Sequence, residues 1–298
     1  MTARLSGVGL QWHASGQSSL HGPLLDLAER LDEAFALLAD RIWRAQAERH
    51  PATLPAAALQ RLDYLYSFPH QATFPMRLDR AEANLEAFRS GPMVGLDGVL
   101  ALTELAAPLD VLTPAACYHL YHGHEGEQLG GPLFLTTRNT CFRQEAAYEP
   151  LRRQWSFTMR EIVCLGTGSE AAAFLENAHL AVDRLLKGVG LPVEWQAATD
   201  PFFNPRSDPR YLMQRMQPVK REAVYGGDLA IASANLHHEH FGDAFSIARD
   251  GGPAHSACMA FGIERWLFAV VDQHGTDPAA WPDPIEAAEA AAAAQEDS

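Results

Sequence analysis

The chain has 298 residues, 47% hydrophobic and 20% charged, the make-up of an ordinary globular protein with room for one large domain or two small ones. A net charge of −14 weighs against a general nucleic-acid binder, which shows a basic face, although a local basic patch fits within an acidic whole. The first twenty residues are polar and Gly/Ser-rich rather than leader-like, and no apolar run reaches the ~18 residues of a membrane span, so a cytoplasmic location without membrane contact is expected.

Residues 1–22 hold short apolar runs broken by Gly and Ser, the pattern of an edge strand or hairpin. From Pro23 onward Leu24, Leu27, Leu31, Phe35, Leu38 and Ile42 recur at steps of three and four, which predicts a helix over 24–50. Pro23 suits its start and Pro51 stops it. Residues 52–55 read as a short extended piece, and 56–110 mix helical stretches with Pro-bounded turns. The segment 133–165 is strand-like with a polar interruption at 146–154, and a helix follows over 169–188. Residues 201–217 are rich in Pro and Arg, 219–235 and 243–248 suggest strands, and 258–272 suggest a buried helix. The Ala/Glu-rich tail, 276–298, reads as a frayed helix or disorder. Four cysteines, Cys117, Cys141, Cys164 and Cys258, are few and widely spaced, which in a cytosolic chain favours free thiols or metal ligands over disulfides.

If 133–145 and 155–165 are antiparallel strands, alternation puts Arg143 and Glu145 on one face with Phe157, Met159 and Glu161. That set suits nucleotide chemistry. A guanidinium holds an α-phosphate through a bidentate contact, an aromatic ring stacks on adenine, and a carboxylate reads the exocyclic amine. Arg-x-Glu alone equally describes a surface ion pair on a hairpin, worth little. Further on, Gly262-Ile263-Glu264-Arg265 opens an apolar helix, where Gly262 permits close approach of backbone to a ligand. On its own, that segment equally describes a helix with a charge pair on its solvent side.

Together with the helix-strand-proline outline of 24–55, these segments resemble the three signature motifs of class II aminoacyl-tRNA synthetases. The resemblance implies an α+β fold, a mostly antiparallel sheet flanked by helices, with 1–275 as one catalytic domain. Within it, 24–50 is the motif 1 helix of a homodimer interface, 133–165 is motif 2 and 251–272 is motif 3. It also implies ATP as a substrate, with Arg143 on the α-phosphate, Glu145 near adenine and Phe157 stacked on the base. Arg152 or Arg153 then reaches the outer phosphates and Arg265 holds the γ-phosphate, which makes Arg143 and Arg265 the catalytic pair.

Within that class the chain resembles the seryl enzymes, through Thr137-Arg138-Asn139-Thr140-Cys141-Phe142-Arg143 and through Asn235, which sits where they carry a Ser-Asn pair. The run Leu112-Thr113-Pro114-Ala115-Ala116-Cys117 ends in cysteine where those enzymes have a glutamate that holds the amino group of serine. The atypical, methanogen-type seryl enzymes use Cys, Glu and Cys to bind zinc, which implies Cys117, Glu161 and Cys258 as zinc ligands with a fourth position open to an amino group. Without the resemblance, all four cysteines read as small buried hydrophobes. The runs His119, His122, His124 and His237, His238, His240 are competing metal-binding stretches, and Cys141 and Cys164 are assigned to packing. Seryl enzymes also hold Mg²⁺ through a carboxylate on the strand before Asn235, where this sequence has Leu229, Ala230 and Ala232, with Asp228 slightly earlier.

Only about 23 residues precede the motif 1 helix and about 30 follow motif 3, and the acidic chain lacks the usual charge for phosphate neutralisation, so no tRNA module is expected. That combination resembles the amino acid:[carrier protein] ligases, homologues of the atypical seryl enzymes, over most of the chain. Arg160-Glu161-Ile162-Val163 and Asp200-Pro201-Phe202-Phe203 carry the likeness, and the second brings Asp200 into the amino-acid pocket beside Asn235. The implied reaction activates glycine or alanine and passes it to the phosphopantetheine thiol of a carrier protein. The implied docking element is a helix over 202–217 with Arg206, Arg210 and Arg215, a basic patch for an acidic carrier. A truncated seryl-type enzyme that charges tRNA, or an inactive paralogue that binds zinc or an amino acid, are the alternatives.

Overall fold

Strands β7 (Leu133–Phe142) and β8 (Ser156–Gly166) form an antiparallel pair within a seven-stranded sheet in the computed structural model. The structure describes residues 2–205, 211, 212, 216 and 218–296. The chain opens with a helical turn, α1 (Thr2–Ser6), and then the expected hairpin, β1 (Leu10–His13) and β2 (Gln17–Leu20). Helix α2 (Gly22–Trp43) buries Leu24, Leu27, Leu31, Phe35 and Leu38 as its periodicity predicts. It stops well short of His50. Arg44 turns into the left-handed region (φ 53), and its N–H caps the carbonyls of Ala39 and Asp40. Residues beyond it are thereby released to pair with β7 as the parallel strand β3 (Gln46–Glu48).

Strand β4 (Thr53–Pro55) is the expected extended piece and pairs with β5 (Asp110–Leu112). Between them lie α3 (Ala56–Arg61), α4 (Tyr64–Ser67) and α5 (Glu82–Ser90), the last on an arm closed by the bridges Leu78–Leu105 and Val94–Leu100. Helix α6 (Tyr118–Gly123) and strand β6 (Gln128–Leu129) lead into β7. After β8 come α7 (Gly168–Gly188), β9 (Val193–Ala197), β10 (Lys220–Tyr225), β11 (Leu229–His238) and α8 (His240–Phe245). The chain finishes with β12 (Ala248–Arg249), β13 (Gly252–Pro253), β14 (His255–Gly262), α9 (Ile263–His274) and α10 (Pro284–Glu296). The sheet order is β3-β7-β8-β14-β11-β10-β9, antiparallel except at β3/β7.

Three expectations are corrected here. Residues 243–245 are the end of helix α8, where Phe241, Gly242 and Phe245 are buried, and of the expected strand only Ala248 is extended, in β12. Residues 258–262 belong to strand β14, and the helix begins only at Ile263. The tail is a docked helix: α10 packs on α2 and α7 and buries Ala287, Ala288, Ala291 and Ala292. Its small side chains allow close approach, and a Cβ on Gly188 of α7 would stand 2.8 Å from that of Ala287. The arginines expected on a docking helix, Arg206, Arg210 and Arg215, lie outside the described residues.

Helices α2, α7 and α9 cover one face of the sheet, with Ile162, Met259 and Phe261 in that core. The guanidinium of Arg160 points to this side and meets Asp32 of α2 at 2.6 Å. Helix α7 starts with a capping box, in which Thr167 accepts from the Glu170 N–H and Glu170 accepts from the Thr167 N–H at 2.7 Å. Thr167→Ala should cost about 1 kcal/mol in urea unfolding. An unchanged midpoint would refute a stabilising role for the box.

Candidate active site

The opposite face of the sheet lines a cavity of about 650 Å³. Cross-strand pairing decides what points into it. One row runs Thr137, Glu161, Ala260, Ser233, Glu222, and the next runs Leu135, Val163, Cys258, Asn235, Lys220. Antiparallel partners share a face, so the sheet alone brings Glu161, Cys258 and Asn235 together. Cys117 joins them from the N-cap of α6. Every residue given a catalytic, nucleotide, amino-acid or zinc role in the sequence lines this cavity: Cys117, Arg143, Glu145, Arg152, Arg153, Phe157, Glu161, Asp200, Asn235, Cys258 and Arg265.

Arg143 follows the end of β7. Its Nε donates to the Pro114 carbonyl at 2.9 Å, and its guanidinium lies 5.2 Å from the Phe157 ring centre. Arg265, in the first turn of α9, donates to the carbonyls of Arg152 and Ala230. Burial and the charge of Arg143 hold the Arg265 guanidinium below its ordinary pKa. Among the described residues neither arginine has a carboxylate in ion-pairing range. Glu145 pairs with Arg153 at 3.7 Å, and Arg152 with Asp228 at 2.7 Å. Glu264 does not sit on the solvent side: it is buried and accepts from the Thr158 N–H with both oxygens at 2.9 Å. A Cβ on Gly262 would meet only the Arg265 side chain, at 3.6 Å, so space remains beside that backbone.

The Cys117, Glu161 and Cys258 donor atoms all lie within 4.8 Å of one another, and all three residues are buried. Oε1 of Glu161 accepts from the N–H groups of Ala116 and Cys117 at 2.9 and 3.1 Å, which fixes the carboxylate. Burial, a hydrogen bond with Cys258 and the Glu161 charge push the Cys117 thiol well up. Two thiols and one carboxylate converging in low dielectric form a soft anionic donor set that fits a divalent cation. The competing histidines do not form such a group: among the described residues Cys117, Glu161 and Cys258 are the sole cluster of this kind.

Several lining residues escaped the sequence reading. Lys220 sits 3.2 Å from both Asp200 and Glu222. Burial works against its charge, but these two carboxylates prevail and hold the ammonium above its ordinary pKa. Glu222 also faces Ser233 across the β10/β11 pair, whereas Asp228 lies in the turn beyond and is taken by Arg152. Tyr64 and Tyr118 line the cavity too, as does His237, which the sequence placed only in a competing metal-binding run. Phe202 stacks on Phe68 at 5.1 Å, and the Phe203 N–H donates to the Ser67 carbonyl, so the start of the 202–217 segment rests on the pocket wall.

No family model matches the chain. It is 33% identical to amino acid--[acyl-carrier-protein] ligase 1 of Bradyrhizobium diazoefficiens over 282 residues, 91% of this chain and 85% of that protein. The chain belongs to the amino acid--[acyl-carrier-protein] ligase family. Ligase 2 of the same organism is 32% identical to this family member over 283 residues. The type-2 serine--tRNA ligase of Methanopyrus kandleri is 25% identical over 309 residues, 95% of the chain but 58% of that protein. The crystal structure of the M. kandleri enzyme with a tRNA superposes with a TM-score of 0.80 at 23% identity, covering 97% of this chain and 59% of that one. The ligase-family chain thus has the class II aminoacyl-tRNA synthetase fold expected from its motifs. Among the described residues no helix is long and apolar enough to cross a membrane.

Proposed function

We propose that the chain uses ATP to convert glycine or alanine into an aminoacyl-adenylate and transfers it to the phosphopantetheine thiol of a carrier protein. The observation that carries this reading is one cavity with two half-buried arginines that, among the described residues, lack carboxylate partners, next to a buried Cys-Glu-Cys group. Two guanidinium groups facing one cavity without a carboxylate attract a polyanion, and a polyphosphate supplies that charge. Phe157 stacks on adenine, Glu145 reads its amine, and Arg152 or Arg153 meets the outer phosphates with Arg265. The amino-acid carboxylate attacks the α-phosphorus beside Arg143, and pyrophosphate leaves. The carrier thiol then attacks the adenylate carbonyl, AMP leaves, and a thioester forms.

Cys117, Glu161 and Cys258 would hold Zn²⁺, which when bound supplies an open position for the substrate's neutral α-amino group. Asp200 and Asn235 border the same pocket and orient the amino acid. Glu222 and Ser233 offer hard oxygens of the kind Mg²⁺ takes, and that ion offsets phosphate charge. All four cysteines are free, as suits a reducing cytoplasm.

We also read the chain as a homodimer, but not through the motif 1 helix expected from the sequence, whose apolar face the sheet, α9 and α10 cover. The arm between β4 and β5 exposes Met76, Leu96, Val99, Leu100 and Leu109, more apolar surface than scattered single residues present. A second copy of the chain would cover it. Leu96→Glu with Val99→Glu should raise the monomer fraction in analytical ultracentrifugation. A wild-type monomer would sink the dimer, and an unaltered dimer in the variant would move its interface off the arm.

The test of function is ATP–pyrophosphate exchange with each amino acid in turn, followed by transfer to a phosphopantetheinylated carrier and to tRNA. Exchange with glycine or alanine and thioester formation on the carrier are expected. No exchange with any amino acid would sink the reading. Transfer to tRNA alone would replace the carrier with a ribose acceptor.

A further inference from the structure

His237 has no place in the reaction described above, yet it stands beside one of the two thiols. Its Nε2 lies 3.8 Å from the Cys258 sulfur, and Asn235 Nδ2 reaches the same sulfur at 3.3 Å. On its other side, Nδ1 faces the Ser256 hydroxyl at 3.4 Å and the Tyr121 hydroxyl at 3.5 Å. Hydroxyls can donate to Nδ1, which leaves the proton on Nε2 and aims it at sulfur. The Phe241 ring packs against the imidazole nearly perpendicular, at 4.9 Å and 86°. The backbone is shaped for this as well. A bulge interrupts the β11/β14 register between Leu236 and His238, and His238 occupies the left-handed region at φ 51. Bulges of this kind re-aim a side chain beside a site, and a strained non-glycine residue persists only where its surroundings hold it.

We propose that His237 is a positioning residue for the metal-binding group, acting through an Nε2–H···S hydrogen bond to Cys258. The inference rests on the reading that Cys117, Glu161 and Cys258 hold a metal. Two N–H donors converge on the Cys258 sulfur, and among the described residues none reaches the Cys117 sulfur. Each N–H···S contact draws electron density from a thiolate and fixes its direction. The two sulfurs are therefore unequal: Cys258 is the weaker, more tightly oriented donor. The asymmetry biases which face of the bound ion is left for the amino group.

Co²⁺ is the probe, because its thiolate charge-transfer absorption reports the donor strength of the sulfurs without reference to activity. In His237→Ala the band should move to longer wavelength, and Co²⁺ affinity should fall about 10- to 100-fold as sulfur orientation is lost. In His237→Gln, whose amide nitrogen falls near the Nε2 position, the wild-type band should largely return. A His237→Ala protein with the wild-type band and affinity overturns the proposal and leaves the metal reading standing. A His237→Gln protein as impaired as the alanine variant overturns it too. If wild-type protein takes up no Co²⁺ at this group, the metal reading itself falls, and the role of His237 falls with it.

Discussion

Arg143→Ala should lower ATP–pyrophosphate exchange about 100- to 1,000-fold, the usual loss when one preorganised donor to a developing oxyanion is removed. Its guanidinium is anchored through Nε to Pro114 and lies over Phe157, so its direction is set before a nucleotide arrives. Arg143→Lys should rescue little, since an ammonium cannot make a planar, bidentate contact. The stability of the variant separates this role from a structural one. Arg143 is only half-buried and pairs with no carboxylate among the described residues, so its removal should move the urea midpoint little. Loss of exchange together with a collapsed midpoint would assign Arg143 to the fold instead. Truncating Arg265 would release two carbonyls, those of Arg152 and Ala230, against the single Pro114 carbonyl released by truncating Arg143, so its variant should lose more stability.

Cys117→Ala should abolish exchange and remove bound metal, and chelation of the wild-type enzyme should do the same until zinc is restored. The alanine keeps the backbone N–H that Glu161 accepts, so it deletes a ligand and little else. With one of three donors gone, a carboxylate and one thiol remain, too few to hold a zinc with an open site. Cys164→Ala is the matched control. That thiol is buried in the opposite core, among residues under α7, and its loss should reduce stability modestly while exchange survives. Full exchange by Cys117→Ala after exhaustive chelation would end the zinc assignment.

The strand alternation of motif 2 was legible because β7 and β8 are long and their pattern is local. Phe157, Met159 and Glu161 do share the cavity face. Strand β14 was not legible as a strand. Ser256-Ala257-Cys258-Met259-Ala260-Phe261 is buried on both faces, and a continuous apolar run shows no period to tell strand from helix. The early end of α2 rests on one left-handed arginine, which no composition rule marks. The tail misled through its alanines: they carry a weak amphipathic signal, but their smallness lets α10 settle on α7. Lys220 and Glu222 were invisible for a different reason, and His237 was visible only as part of a competing metal-binding run. Each belongs to the site only because β10 and β11 lie beside β14, and sheet order is non-local information.

Strand β8 has two faces with opposite electrical demands. Arg160 looks toward Asp32 of α2, and Glu161 looks toward the two cysteines. Side chains on a strand repeat every two residues, so a slip of one position exchanges the faces completely. A single-residue deletion ahead of Arg160 would set Ile162 in the place between the thiols and a carboxylate against Asp32. Both contacts would become repulsive or useless at once. A single-residue insertion or deletion in this strand is therefore tolerable only where a bulge, of the kind that interrupts β11 against β14, absorbs it before it reaches Arg160 and Glu161.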